Sequence, residues 1–160
     1  MDIFFKEHRQ LLRLLVKRNV SFILIGGYAV NYYGYERTTG DMDIWLELGN
    51  ENKYRVVLAL RDFGIEDSDL EQLTRMDFES APPVFFIGEP PRRVDFLTVI
   101  NNVTFEDAIA EANYLKIDDF QIPVINLKHL ILSKITSSRL KDKADVEELQ
   151  RINRYRNQDN

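Results

Sequence analysis

The tightest constraint on this chain is a strand that ends in two glycines. Val20-Ser-Phe-Ile-Leu-Ile25 is a short apolar run with the length and β-branching of a strand. Gly26-Gly27 follow at once, and residues 28–33 read as a short helix with Gly34 at its C-terminal cap. Glycines between a strand and a helix let backbone N–H groups approach an anion, and a helix N-terminus favours negative charge. A tight strand-to-helix turn explains the same two glycines equally well. Gly26-Gly27-Tyr28 lacks the G-x-G-x-x-G order of a dinucleotide site, and no G-K-[ST] follows to make a P-loop.

The rest of the chain alternates helical and strand patterns. Residues 2–18 recur at helical spacing, and residues 41–48 alternate strictly, with Met42, Ile44, Leu46 and Leu48 on one face. A helix is expected over 51–63, stopped by Gly64, and another over 69–76. Pro82-Pro83 marks a turn. Residues 84–87 and 92–100 read as a hairpin across Gly88-Glu-Pro-Pro91. Thr104 and Asp107 suggest a capping box, 114–117 and 120–124 short strands, and Asn126 the cap of a helix reaching Ser137. A last helix is expected over 141–155, with a frayed end at 157–160. The pattern predicts an α+β, mixed-sheet domain: a core over 1–125, and C-terminal helices over 126–156 packed on the same domain.

Chemistry is suggested by three carboxylates. Asp41-x-Asp43 alone carries little information, because the 26 acidic residues give about four such pairs by chance. Its context separates it from Asp67/Asp69, Asp69/Glu71, Asp77/Glu79 and Asp145/Glu147. On an alternating strand both carboxylates project from one face, and like charges there are relieved by a cation such as Mg²⁺. Asp95 sits in the apolar strand Arg92-Arg-Val-Asp-Phe-Leu-Thr-Val-Ile100. It reads either as a third metal ligand or as the partner of Arg92 or Arg93. An EF-hand would need a ligand where Trp45 stands and a glycine that is absent. A phosphatase nucleophile would follow a buried strand, whereas Asp41 follows Arg37-Thr-Thr-Gly40. A two-carboxylate glycosidase would leave the glycines idle. The chain has no Cys, so thiolate and Cys-zinc chemistry are excluded, and an oxygen-liganded metal is expected.

Together these residues resemble the DNA polymerase β-type nucleotidyltransferase superfamily. Gly26-Gly-Tyr-Ala-Val, then Gly34-Tyr-Glu-Arg37-Thr38-Thr-Gly-Asp41-Met-Asp43, resembles the small bacterial nucleotidyltransferases of the abortive-infection and toxin–antitoxin type. Leu127-Lys128, Lys134 and Arg139-Leu-Lys141-Asp142-Lys-Ala-Asp145 match their C-terminal helical motif. The resemblance implies a mixed sheet flanked by helices, with a helical C-terminal part. It implies that Asp41, Asp43 and Asp95 hold two Mg²⁺ ions, with Asp95 accepting the proton of an attacking hydroxyl. Gly26 and Gly27 would contact the triphosphate through backbone amides, and Arg37 and Thr38 would approach phosphate oxygens. Lys141-Asp142-x-x-Asp145 reads as a helix start with Asp142 in the first turn, where it favours the dipole, or else Lys134 or Lys141 crosses back to the triphosphate.

The expected function is Mg²⁺-dependent transfer of a nucleoside monophosphate from an NTP, with ATP the expected donor, to a hydroxyl of a protein, RNA or small molecule. The alternatives are a non-catalytic, antitoxin-like module binding a nucleotide or a partner protein, and an aminoglycoside-modifying enzyme. Residues after Lys128 leave little room for the second domain such resistance enzymes usually carry. Net charge is -8 over residues 1–127 and +3 over 128–160, and the basic end reads first as a solvated helix face. His8 and His129 are expected at the surface or in helix packing, and Tyr28, Tyr32, Tyr33 and Tyr35 in the core. The charged first helix excludes a signal peptide and no apolar run suits a membrane span, so a cytoplasmic location is expected.

Overall fold

The computed structural model describes residues 4–37, 39–79 and 84–159. Thr38, the Pro82-Pro83 turn and the Asp2 start of the first helix lie outside them. The elements run α1 (Lys6–Lys17), β1 (Phe22–Ile25), α2 (Gly26–Tyr32), β2 (Met42–Leu46), α3 (Asn50–Phe63) and α4 (Asp67–Arg75). They continue with β3 (Phe85–Ile87), β4 (Val94–Leu97), α5 (Phe105–Ala110), β5 (Asn113–Ile117), β6 (Phe120–Val124), α6 (Leu127–Lys134) and α7 (Leu140–Gln158).

The six strands form one mixed sheet in the order β3-β4-β2-β1-β6-β5. β1 pairs antiparallel with β2 and parallel with β6. β2 pairs parallel with β4, so their connection must carry α3, α4 and β3 across the sheet. The two outer pairs, β3 with β4 and β5 with β6, are antiparallel hairpins. α1 packs on α3 and α3 on α4, while α2 packs on α6 and α6 on α7. Every residue of β1 is buried, as a central strand covered on both faces requires.

Caps behave as their chemistry dictates. Thr104 Oγ1 accepts the Asp107 N–H at 3.2 Å, and Asn126 Oδ1 accepts the His129 N–H at 2.7 Å. Gly64 takes φ 108° and ends α3 in the left-handed region that a Cβ disfavours. No helix among the described residues is long and apolar enough to cross a membrane.

Several expectations need correction. β2 stops at Leu46, and Leu48 is 44% exposed rather than part of the core face. Trp45 is buried as well as Ile44 and Leu46, because a central strand is covered on both sides and alternation overstates its polar face. β4 spans four residues, not nine, since the chain leaves the sheet at Thr98. α2 begins at Gly26, so both glycines belong to its first turn. α7 continues to Gln158 instead of fraying at Asn157. Of the two places expected for His8, it takes helix packing: it is 1% exposed and bonded to Tyr28 of α2.

Asn52 ties three elements together from inside α3. Its side chain accepts the Ser21 N–H at 2.8 Å and donates to the carbonyls of Ser21 and Glu47 at 3.0 and 2.9 Å. These backbone groups stand where β1 begins and β2 ends. Asn52→Ala should lower the unfolding free energy by about 2 kcal/mol in urea titration, because it strands buried polar groups. A change below about 0.5 kcal/mol would show that water replaces the amide without loss.

Candidate active site

The site forms where β1, β2 and β4 meet the first turn of α2. Parallel register places Asp43 directly opposite Asp95, and antiparallel register places Ile25 opposite Asp43. Residues paired in register present their side chains on one face, so the two carboxylates stand beside the Gly26 turn. Gly26 has φ +68°, and a Cβ built there would lie 2.0 Å from Asp43 Oδ2. A Cβ on Gly27 would lie 2.1 Å from Thr39 Oγ1. The glycines are therefore required by side chains packed onto them as well as by the turn. The Asp43 carboxylate lies over the N-terminus of α2, where the helix dipole favours negative charge.

Burial pushes the Asp43 carboxyl up to about 6. The charge of Asp95 adds to this, Lys134 opposes it, Asp41 adds a little and Lys141 opposes it again. Asp95 is also an ion-pair partner, receiving the Arg93 guanidinium on Oδ1 at 2.8 Å. Arg93 in turn lies over the Phe86 ring at 3.8 Å. Of the two sequence readings of Asp95, the ion pair with Arg93 is present, and the same carboxylate stands opposite Asp43 in the strand register.

Asp41 is placed differently. It precedes β2, and its charge acts on His8 and Tyr28. Its Oδ1 is buried with no hydrogen-bond partner among the described residues. His8 Nε2 lies 2.9 Å from the Arg92 carbonyl and must donate to it, so Nδ1 accepts the Tyr28 hydroxyl at 3.0 Å. This chain links α1, α2 and the loop before β4. The structure brings Asp43 and Asp95 together but does not gather all three aspartates. Among the described residues no three acidic, imidazole or thiol groups stand ready around one ion. The donor set still suits a hard cation: carboxylates only, one carboxyl resisting ionisation, and one orphaned buried oxygen.

A cleft of about 740 Å³ opens over these carboxylates. Gly26, Gly27, Asp43 and Asp95 line it together with Arg37, Lys134, Arg139 and Lys141, the Arg37 guanidinium standing next to Gly27. Thr38, predicted beside Arg37, lies outside the described residues. Most of these cations are held by two aspartates of α7. Asp145 is 0% exposed and receives Arg37 Nε at 2.8 Å and Nη2 at 3.0 Å. Lys134 Nζ sits 3.0 Å from Asp142 Oδ1 and 3.1 Å from Asp145 Oδ2. Arg139 Nε and Ser137 Oγ reach Asp142 Oδ2 at 2.8 and 2.7 Å. Burial alone would raise Asp142, yet the hydrogen bonds from Ser137, Lys134 and Arg139 and the charge of Lys134 hold it at about 2. Lys141 is exposed and has no ion pair among the described residues.

Asp142 and Asp145, quoted from sequence within the C-terminal motif and not as site residues, are the anchors of the cleft's cations. The first-turn position of Asp142 also favours the α7 dipole. The available signal was the i, i+3 spacing of two aspartates among Lys134, Arg139 and Lys141. Arg37 and Lys134 serve this buried network while lining the cleft, and Lys141 is the cation left facing it.

Two outcomes follow. The folded chain keeps the Asp43 proton to about pH 6, whereas the unfolded chain loses it near its ordinary value. The cost of the ionised form therefore appears as pH rises through that interval and is complete above it. Asp43→Asn should stabilise metal-free protein by up to about 3 kcal/mol at pH 7.5 and by much less at pH 4.5, read by urea unfolding. An equal gain at both pH values would refute the burial argument. Asp145→Ala should cost about 3–5 kcal/mol, since it leaves Arg37 and Lys134 without their shared buried anion. Thermal melts of Asp145→Ala with and without Lys134→Met test this, the second change recovering part of the loss.

Comparison with known proteins bears on the fold and the family. Residues 4–160 match the family described as nucleotidyl transferase of unknown function (DUF2204). No curated protein matches the sequence. Among solved structures, the lincosamide antibiotic adenylyltransferase LnuA, in a lincomycin-bound crystal structure, shares the fold with a TM-score of 0.56 at 20% identity. The match covers 95% of this chain and 99% of that one. The mixed sheet, its flanking helices and the family match lead to one conclusion: the chain is a member of the DUF2204 nucleotidyl transferase family.

Proposed function

We propose that this protein transfers a nucleoside monophosphate from an NTP, with ATP the expected donor, to a hydroxyl group. The observation that carries the reading is the in-register pairing of Asp43 with Asp95 beside Gly26, under a cleft walled by cations. Phosphoryl-type transfer asks a protein for positioning and charge neutralisation more than for covalent chemistry, and this arrangement supplies both.

In this reading Asp43 and Asp95 would hold the two Mg²⁺ ions, and Asp41, whose charge acts on Asp43 from the turn before β2, would add to the same negative field. When bound, such ions neutralise phosphate charge and acidify an attacking hydroxyl. The residues of the chain do the rest. Lys141 meets the phosphates across the cleft, and Lys134, fixed by Asp142 and Asp145, supplies a positive field at Asp43. Gly26 and Gly27 expose first-turn N–H groups that have no intrahelical partner. The acceptor oxygen bonds to the α-phosphorus while the bond to the bridging oxygen breaks, and pyrophosphate leaves with that electron pair. Asp95 takes the hydroxyl proton.

A small-molecule acceptor is favoured over a protein or RNA. The lincosamide adenylyltransferase with this fold is spanned almost end to end by the match, so a chain of this size needs no larger second domain to modify an antibiotic. That removes the size argument against a resistance-type activity. Isothermal titration of ATP with Mg²⁺ tests the site: Asp43→Ala should bind at least about tenfold more weakly than wild type. Equal binding by the two proteins would overturn the assignment.

A further inference from the structure

A second cleft lies beside the first, and neither the fold nor the family assigns it. It holds about 610 Å³ and shares Val99 and Ile100 with the carboxylate cleft as a common wall. Trp45 comes from β2, two residues beyond Asp43 and on the same face of the strand. Two residues along a strand span about 6.6 Å, within the reach of one small molecule. Leu97, opposite Trp45 in register, continues the face that carries Asp95.

The two clefts differ in charge. The first has Arg37, Lys134, Arg139 and Lys141 on its wall, as an anionic triphosphate requires. The second is lined by no Lys or Arg among the described residues. Its only charges are Glu47 and Glu106, both exposed and without an ion pair among the described residues. Its apolar surface is aromatic and aliphatic: Trp45 meets Phe105 edge-on at 5.3 Å, with Val99 and Val103 beside them. Trp45 is 1% exposed, and its indole N–H is buried with no acceptor among the described residues. Such a group costs about 1–3 kcal/mol while unsatisfied.

We infer that this second cleft is the acceptor subsite, and that it takes a hydroxyl-bearing small molecule with a cationic amine and an apolar body. The amine faces Glu47 and Glu106, where the aromatic pair adds cation–π attraction. The apolar body lies over Trp45 and Val103. The hydroxyl crosses the Val99 wall toward Asp95. An anionic or polymeric acceptor meets repulsion from the two glutamates and finds no cation to hold a phosphate backbone. This inference rests on the nucleotidyl-transfer reading for its role as an acceptor site, though not for binding itself.

Trp45 is the one tryptophan in the chain, so its emission reports occupancy directly. Full-length protein would be titrated with benzyldimethyl(2-hydroxyethyl)ammonium and with its neutral counterpart 2-(benzyloxy)ethanol. The cation should change Trp45 emission saturably, with an affinity at least about tenfold above the neutral probe. Glu47→Gln combined with Glu106→Gln should remove that advantage while leaving ATP–Mg²⁺ binding by calorimetry intact. Unchanged emission with the cation, or an undiminished affinity in the double variant, overturns the subsite. If wild type binds the ammonium probe but no ATP, the ammonium site stands and the nucleotidyl-transfer reading falls. If it binds ATP but not the probe, the reading stands and the subsite falls.

Discussion

Asp43 and Asp95 stand side by side because β2 and β4 run parallel in register, and much of the structure follows from accommodating that pair. Two carboxylates on adjacent strands repel, and burial in the cleft makes the ionisation of Asp43 harder still. The fold answers with positive potential from outside the sheet. Lys134 and Lys141, on α6 and at the start of α7, act on Asp43 from the far wall. Gly26 answers from inside the sheet. Without a Cβ, it lets the Asp43 carboxylate rest against the first turn of α2. A cation between the carboxylates would complete the same compensation.

The cations need anchoring of their own. Long Lys and Arg side chains lose rotamer freedom when fixed in a cleft, and they need counter-charge to stay there. Asp142 and Asp145 provide it from one face of α7, three residues apart. The bidentate contact of Arg37 with Asp145 also joins the segment after α2 to α7. The C-terminal helices are thus part of the site rather than an appendage. Their basic character, read from sequence as a solvated face, is partly turned inward.

Much of this was legible from residue order. The Val20–Ile25 run, the glycine pair, the capping residues Thr104 and Asn126, and the stop at Gly64 each follow from local backbone chemistry. Legibility failed where burial depends on distant elements. Leu48 fits the alternation of β2, yet it is exposed because nothing covers the chain beyond Leu46. His8 falls at helical spacing with the buried leucines of α1, but its partners Tyr28 and Arg92 are remote in sequence and no periodicity names them. Asp41 matches Asp43 in spacing but precedes the strand, and its charge acts on His8 of α1 and Tyr28 of α2 as well as on Asp43.

The sequence by itself determined the order of helices and strands, the glycine turn and the lack of thiols, because these depend on backbone preference and composition. It also carried the resemblance that the family match supports. Only the tertiary structure decided which carboxylates face each other, since parallel pairing joins residues 52 positions apart that no periodicity connects. It likewise decided that Arg37 and Lys134 answer to buried aspartates, and that a second, acidic and aromatic cleft adjoins the first. Those outcomes depend on register and on helix docking, which are properties of the packed chain.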